Sequence, residues 1–182
     1  MYILSIDQGT SSTKTLIINQ QGEVVARGSE PLQTIYQDNG FVEQDPEAIY
    51  QNVLASGKQC LQAFTAKGFA VEDIVSIGID NQRETFVVWD ANGKPLHNEV
   101  VWQCKRSVQI CEDLKQQNLS QIIHQKTGLV IDPYFSATKL IWLYQNNTTV
   151  QQAIQNEQAL FGTVDTWLLY KLTNGQCYAT DY

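Results

Sequence analysis

The chain has 182 residues, of which 43% are hydrophobic and 17% are charged, a composition that is ordinary for a globular domain with a substantial core. Its formal net charge of −7 argues against a nucleic-acid partner, because no basic face is expected to dominate. This charge does not argue against a nucleotide, which needs only local hydrogen-bond donors and a metal ion.

No basic start followed by a long apolar run marks a signal peptide, and no apolar stretch approaches the length of a membrane span. The four cysteines are scattered and contain no CxxC pair: Cys60, Cys104, Cys111 and Cys177. This spacing favours free thiols over a metal site or a disulfide framework. We therefore expect a cytoplasmic protein without membrane insertion.

The first two predicted strands, 2–6 and 13–18, are joined by the polar stretch DQGTSS. Gly9 lets the backbone turn sharply, so that successive N–H groups can point at one place. The neighbouring hydroxyl groups add further donors, and such a turn can hold a phosphate group, with Asp7 placed to hold a hydrated Mg²⁺. The alternative is an ordinary hairpin turn, since neither a Walker loop nor GxGxxG is present.

A third strand is predicted at 23–28, and its short connections indicate an antiparallel meander. Asp45-Pro46-Glu47 is a strong helix start. Apolar and small residues at spacings of three and four then predict an amphipathic helix ending near Lys67-Gly68. The segment 31–42 between strand and helix is expected to be irregular.

The rest of the chain alternates between short strands and helices. We expect a buried strand at 74–79, and a helix placed before such a strand indicates an α/β architecture. Further strands are predicted at 86–89 and 159–162, with a strand end at 100–102. Helices are predicted over 105–117, 120–126, 138–145, 150–155 and 164–172.

A second polar group of residues, Asn81-Gln82-Arg83-Glu84, follows the predicted buried strand. Ligands of α/β sheets often bind beyond such strand ends. There Arg83 could donate hydrogen bonds to a small polyol and Glu84 could accept them. The alternative is a surface ion pair on a loop.

Two aromatic residues, Trp102 and Tyr134, could pack against the C–H groups of such a polyol, although core packing is the default for Trp102. We assign no chemistry to the isolated His97 and His124. The pair Lys105-Arg106 is expected to be a solvated pair at a helix start.

Six segments together resemble the N-terminal domain of the FGGY carbohydrate kinases and, within that family, the glycerol kinases. They occur in order along nearly the whole chain: DQGTSS at 7–12, GFVEQDP at 40–46, GIDNQRET at 78–85, VWQ at 101–103, GLVIDPYFS at 128–136 and GTVDTW at 162–167. The resemblance implies an α/β fold of the actin-like, ribonuclease H-like type. Its mixed sheet would combine an antiparallel meander with added strands, flanked by helices.

The resemblance also implies that the first hairpin binds the phosphates of ATP. Thr10, Ser11 and Ser12 would face the nucleotide, and Lys14 stands where arginine is usual in the family, which keeps the charge but loses the planar fork. Asp7 would lie near Mg²⁺. Two departures, Asp80 for threonine and Ala137 for glycine, remove no expected ligand.

By the same resemblance, the acceptor residues would be Arg83, Glu84, Trp102 and Tyr134. The expected activity is ATP-dependent phosphorylation of glycerol to sn-glycerol 3-phosphate. Residues 1–182 would form the N-terminal domain, while a second domain outside this chain would carry the catalytic Asp, so that no catalytic base is expected here. Open alternatives are a kinase of another polyol or ketose and a non-catalytic ligand-binding domain, and homo-oligomerisation is also left open.

Overall fold

The computed structural model of the chain describes residues 1–180, which form two units. The first unit comprises residues 1–34 and 45–82, and the second comprises residues 35–44 and the chain from Arg83 onward. Each unit contains its own β-sheet. Among the described residues, no helix combines the length and the apolar character that crossing a membrane would require.

The strands and helices are numbered in chain order. The strands are β1 (Tyr2–Gln8), β2 (Ser12–Asn19), β3 (Val24–Pro31), β4 (Ile35–Tyr36), β5 (Val42–Gln44), β6 (Ile74–Asn81), β7 (Phe86–Asp90), β8 (Glu99–Val100) and β9 (Ala159–Thr163). The α-helices are α1 (Pro46–Thr65), α2 (Val108–Gln116), α3 (Ser120–Thr127), α4 (Ser136–Asn146), α5 (Thr148–Gln155) and α6 (Val164–Leu172), and a 3₁₀ turn spans Val71–Asp73.

The first unit is a four-stranded mixed sheet in the order β3-β2-β1-β6. The first three strands form the predicted antiparallel meander, and β6 is added parallel to β1 after the helix α1. A parallel neighbour requires a crossover connection, which α1 provides. The mixed sheet predicted from the sequence is therefore confirmed.

The helix α1 begins as predicted: the Asp45 side chain accepts a hydrogen bond from the Glu47 N–H at 2.9 Å, and Pro46 occupies the first turn. Its buried face packs on β2 and β3. Gly28 in β3 makes this close packing possible, because a Cβ there would lie 2.1 Å from the Ser56 carbonyl oxygen of α1. At the same contact, the hydroxyl groups of Thr15 and Ser56 form a buried hydrogen bond of 2.9 Å.

The prediction that residues 74–79 form a buried strand is half wrong. The strand is present as β6, but Val75 and Ile77 are 59% and 62% exposed. The reason is the strand order, because β6 is an edge strand of its sheet and α1 packs mainly on β2 and β3 at the other side. An apolar run signals a strand but does not say which of its faces is covered.

The second unit has a five-stranded antiparallel sheet in the order β4-β5-β8-β7-β9. A hydrophobic core of buried side chains from β5, β7, β8, α4 and α5 stabilises it, with Val88, Val100 and Leu143 among its members. The predicted irregular segment 31–42 contains the short strand β4, and α2 begins at Val108 rather than at residue 105. Trp102 follows β8 instead of ending it.

The expectation that Lys105-Arg106 is a solvated pair is wrong for Arg106, which is 5% exposed. Its Nη2 donates to Glu43 Oε1 at 2.6 Å, and its guanidinium packs against the rings of Phe41 and Trp142, 4.7 and 4.8 Å from their centroids. Burial of a charged side chain requires such a partner. His97 is not isolated either, because its Nε2 lies 3.7 Å from the same Glu43 oxygen.

Candidate functional site

The turn between β1 and β2 is a tight four-residue turn. The Gly9 N–H donates to the Ser12 carbonyl at 3.0 Å, and a Cβ at Gly9 would lie 3.3 Å from that oxygen. On the strand side, Gln8 is fully buried and its amide donates to the Gly9 carbonyl at 2.9 Å. The β1 strand therefore ends in a turn whose backbone is fixed from within the first unit.

The polar side chains of this turn are at least partly exposed. Ser11 is exposed, and Thr10 and Ser12 are half-buried. Just beyond the turn, Lys14 places its Nζ 3.8 Å from Asp7 Oδ2, with both side chains at least half exposed. Hydroxyl groups and one lysine ammonium beside a tight turn form a set of donors suited to phosphate oxygens.

A metal ion at this turn would have one or two carboxylates. Asp7 in β1 and Asp80 in β6 are register partners on neighbouring parallel strands, so their side chains share a face of the sheet. Among residues 1–180, no group of three or more metal-ligating side chains is found. Magnesium bound together with a nucleotide takes one or two carboxylates plus phosphate oxygens, so these residues fit a metal held jointly with ATP. The position of Asp80 beside Asp7 was not predicted from the sequence, because it follows from the pairing of β1 with β6.

In the second unit, Glu84 is held in an unusual backbone conformation. Its φ is +65°, a left-handed conformation that non-glycine residues adopt at a cost and that clusters at functional sites. The first residue of α4, Ser136, holds it: Ser136 Oγ donates to the Glu84 carbonyl and to Glu84 Oε2, both at 3.1 Å. The Ser136 N–H adds a longer contact of 3.3 Å to the carboxylate.

The structure brings Trp102 and Tyr134 together in the same unit. Their ring centroids are 5.9 Å apart in an edge-to-face arrangement, and Tyr134 is 37% exposed. The Trp102 N–H donates to the hydroxyl of Thr85 at 3.2 Å, which ties it to the residue next to Glu84. Trp102 is half-buried and also packs against the core, as expected by default; its role as an aromatic wall of an acceptor site stays a prediction.

Arg83 is exposed, as is Tyr134, whereas Glu84 and Trp102 are half-buried. Among the described residues no hydrogen bond or ion pair involves its side chain, and Glu84 pairs with Ser136 instead of with Arg83. The alternative of an Arg83–Glu84 surface ion pair is therefore not what the structure contains. The guanidinium remains available for an external acceptor beside Glu84.

One residue of this region escaped sequence analysis. Lys139, on α4, is 0% exposed, and its Nζ donates to the Tyr134 carbonyl and, at 3.4 Å, to the Glu84 carbonyl. Burial lowers the pKa of Lys139 to about 8. A lysine within an otherwise amphipathic helix pattern predicts a solvated side chain, and only the fold reveals that it is buried here.

The two polar regions thus have different chemical characters: a hairpin turn with hydroxyls and a lysine, and an aromatic site with a glutamate and an arginine. A family model for the FGGY family of carbohydrate kinases, N-terminal domain, matches residues 2–182. The chain belongs to the FGGY family of carbohydrate kinases. The actin-like, mixed α/β fold inferred from the family resemblance is confirmed with it.

Relatives of this FGGY domain include glycerol kinases from several bacteria. Glycerol kinase 2 of Thermotoga maritima is 44% identical over 182 residues, and glycerol kinase of Bdellovibrio bacteriovorus is 48% identical over 181 residues. The domain covers 36% of the length of each of these relatives, and they cover 100% and 99% of it.

Solved structures give the same fold. Glycerol kinase of Plasmodium falciparum with ADP has a TM-score of 0.89 at 34% identity, covering 97% of this FGGY domain and 35% of that chain. Xylulose kinase of Rhodospirillum rubrum has a TM-score of 0.84 at 19% identity, covering 93% and 33%. The second likeness concerns the fold alone.

Proposed function

We propose that this FGGY domain is the N-terminal, acceptor- and phosphate-binding domain of a longer kinase that transfers the γ-phosphoryl group of ATP to glycerol. The product is sn-glycerol 3-phosphate. The relatives that support glycerol as the acceptor are 44% and 48% identical over essentially the whole domain. The free thiols of all four cysteines are consistent with a reducing cytoplasm as its location.

The observation that carries the proposal is the group formed by Glu84, Trp102 and Tyr134. In this proposal the Glu84 carboxylate accepts hydrogen bonds from glycerol hydroxyls, and the exposed Arg83 donates to their oxygens. The Trp102 and Tyr134 rings cover the C–H groups of the acceptor. Fixing the hydroxyl that attacks is the main contribution such a site makes to phosphoryl transfer.

At the hairpin turn, Thr10, Ser11, Ser12 and Lys14 donate to the phosphates of the nucleotide. Asp7 helps to hold Mg²⁺, which neutralises charge on the phosphates when it is bound. The base that takes the proton from the attacking hydroxyl is placed outside this domain, in the part of the protein that the domain does not cover.

The proposal is tested by measuring ADP release from Mg·ATP by the full-length protein with glycerol, dihydroxyacetone, xylulose, ribulose and gluconate. A strong preference for glycerol supports the proposed acceptor. Preference for a ketose or another polyol would overturn it while keeping the kinase reaction, and absence of acceptor-dependent ADP release would favour a non-catalytic binding domain.

Two arginine variants make this test specific for the site. Arg83→Lys retains the positive charge but loses the planar fork of donors, so the KM for glycerol is expected to rise. Arg27→Lys is the matched control, because Arg27 is an exposed residue of β3 in the other unit. An equal effect of both variants would contradict the role given to Arg83.

A further inference from the structure

Lys139 is the fully buried lysine of the second unit and lies next to two proposed acceptor residues. Removing an ammonium group from water is costly, and an apolar side chain of similar length would fill the same volume without that cost. A buried lysine therefore needs an explanation other than packing. Its contacts provide one, because its Nζ donates to the backbone carbonyls of Glu84 and Tyr134.

Both carbonyls belong to residues that the proposed function places against the acceptor. Glu84 is in the left-handed conformation, with a φ of +65°, and such a residue persists only where its surroundings determine it. Its carbonyl receives hydrogen bonds from Lys139 Nζ and from Ser136 Oγ. The start of α4 thus holds the Glu84 backbone from two directions and the Tyr134 backbone from one.

We propose that Lys139 is a positioning residue of the acceptor site: its buried ammonium holds the carbonyls of Glu84 and Tyr134 and thereby fixes the two side chains that contact the acceptor. The proposal rests on the proposed function and deepens it, because it names what sets the geometry of the site. Lys139 itself does not touch the acceptor. Its effect passes through the backbone of two residues 50 positions apart in the chain.

The charge of Lys139 makes this role depend on pH. Its pKa is lowered to about 8, mainly by burial and to a smaller extent by the nearby charge of Arg106, while Glu84, Cys104 and Asp132 act in the opposite direction. The side chain is a three-proton cationic donor below that pH. Above it, a neutral amine has fewer N–H groups and forms weaker hydrogen bonds to carbonyls. The kcat/KM for the acceptor should therefore fall as the pH rises through about 8.

The experiment compares the full-length protein with its Lys139→Met variant, which keeps the length of the side chain but removes the donors. The KM for glycerol is expected to rise by about tenfold to a hundredfold, as for a small misplacement of substrate-positioning groups. The KM for ATP should stay unchanged, and the alkaline fall near pH 8 should disappear from the variant. Lys115→Met, at an exposed lysine of α2, is the matched control.

A second variant keeps the test decisive if Lys139→Met does not fold. Ser136→Ala removes the other side-chain donor to the Glu84 carbonyl and leaves that carbonyl to Lys139. The alkaline fall in kcat/KM should then become larger than in the wild type, and an unchanged pH profile would overturn the proposal.

The outcomes separate this proposal from the proposed function. Lack of acceptor phosphorylation by the wild-type protein would overturn the proposed function and this proposal with it. An active wild type whose folded Lys139→Met variant keeps the KM for glycerol and the pH profile would overturn this proposal alone. Parallel rises in the KM for glycerol and for ATP would also overturn it, because they would indicate a general structural role.

Discussion

The buried ion pair between Glu43 and Arg106 allows a quantitative test of the fold. The Arg106 side chain is 0% exposed and that of Glu43 is 10% exposed, with 2.6 Å between Nη2 and Oε1. Glu43→Gln keeps the shape of the side chain but removes its charge, which leaves a buried guanidinium without a counter-ion. We expect the free energy of unfolding to fall by about 3–5 kcal/mol, the usual cost of breaking such a pair from one side.

The effect should depend on pH in a defined direction. Burial raises the pKa of Glu43, but the opposing effects are larger in sum. Hydrogen bonds from Arg106 and Asn98 and the charges of Arg106 and His97 lower the pKa, so that its net value is below 4.5. A carboxyl with a lowered pKa contributes stability above its unfolded pKa, and this contribution is lost as the pH falls through the folded value. The difference between wild type and Glu43→Gln should therefore be full at pH 7 and shrink below pH 4.5.

Urea unfolding monitored by circular dichroism measures this difference at each pH. Glu112→Gln is the matched control, because Glu112 forms an exposed pair with Lys115 on α2, and exposed pairs contribute little. The double variant Glu43→Leu/Arg106→Met removes both charges and should recover much of the lost stability. A Glu43→Gln protein as stable at pH 7 as the Glu112→Gln protein would refute the reasoning.

Three further predictions concern packing, nucleotide binding and the extent of the enzyme. Gly28→Ala should lower the melting temperature, because its Cβ would lie 2.1 Å from the Ser56 carbonyl oxygen. Gly57→Ala, on α1, has open space around the new Cβ and should raise the free energy of unfolding by about 0.5–1 kcal/mol. Equal melting temperatures of the two variants would contradict this. In the full-length protein, Lys14→Met should raise the KM for ATP and leave the KM for glycerol unchanged, as measured by steady-state kinetics with each substrate varied in turn. A raised KM for glycerol with an unchanged KM for ATP would contradict this role of Lys14. The 182-residue chain alone should show no ADP release with glycerol and Mg·ATP, since the base is placed elsewhere, and appreciable turnover would contradict that placement.

The elements that sequence analysis predicted well are those with local signals. Asp45 and Pro46 mark the start of α1, and the spacing of its apolar residues identifies the face that the structure buries. Gly9 and the flanking strand patterns similarly locate the first hairpin. These signals depend on residues within one or two turns of each other, so they can be recognised without the fold.

The features that were missed depend on residues far apart in the chain. Arg106 looks like a surface residue beside Lys105, but its partner Glu43 lies 63 positions away. The exposure of β6 follows from the strand order, which no local pattern contains. Lys139 is buried because α4 packs beneath Glu84, and a single lysine in a helical pattern gives no sign of that.

The site residues were inferred from the family resemblance rather than from local chemistry. On their own, Arg83 and Glu84 were better explained as a surface pair, and Trp102 as a core residue. The structure adds the contact between Trp102 and Tyr134 and the hold of Ser136 on Glu84, neither of which is visible in the sequence.

The central claim is that these residues hold glycerol, and a crystal structure of the full-length protein with glycerol tests it most directly. The account predicts glycerol hydroxyls within hydrogen-bond distance of Arg83 and Glu84, and its carbon atoms against the rings of Trp102 and Tyr134. Glycerol bound at another place, with these four side chains contacting none of it, would contradict the account.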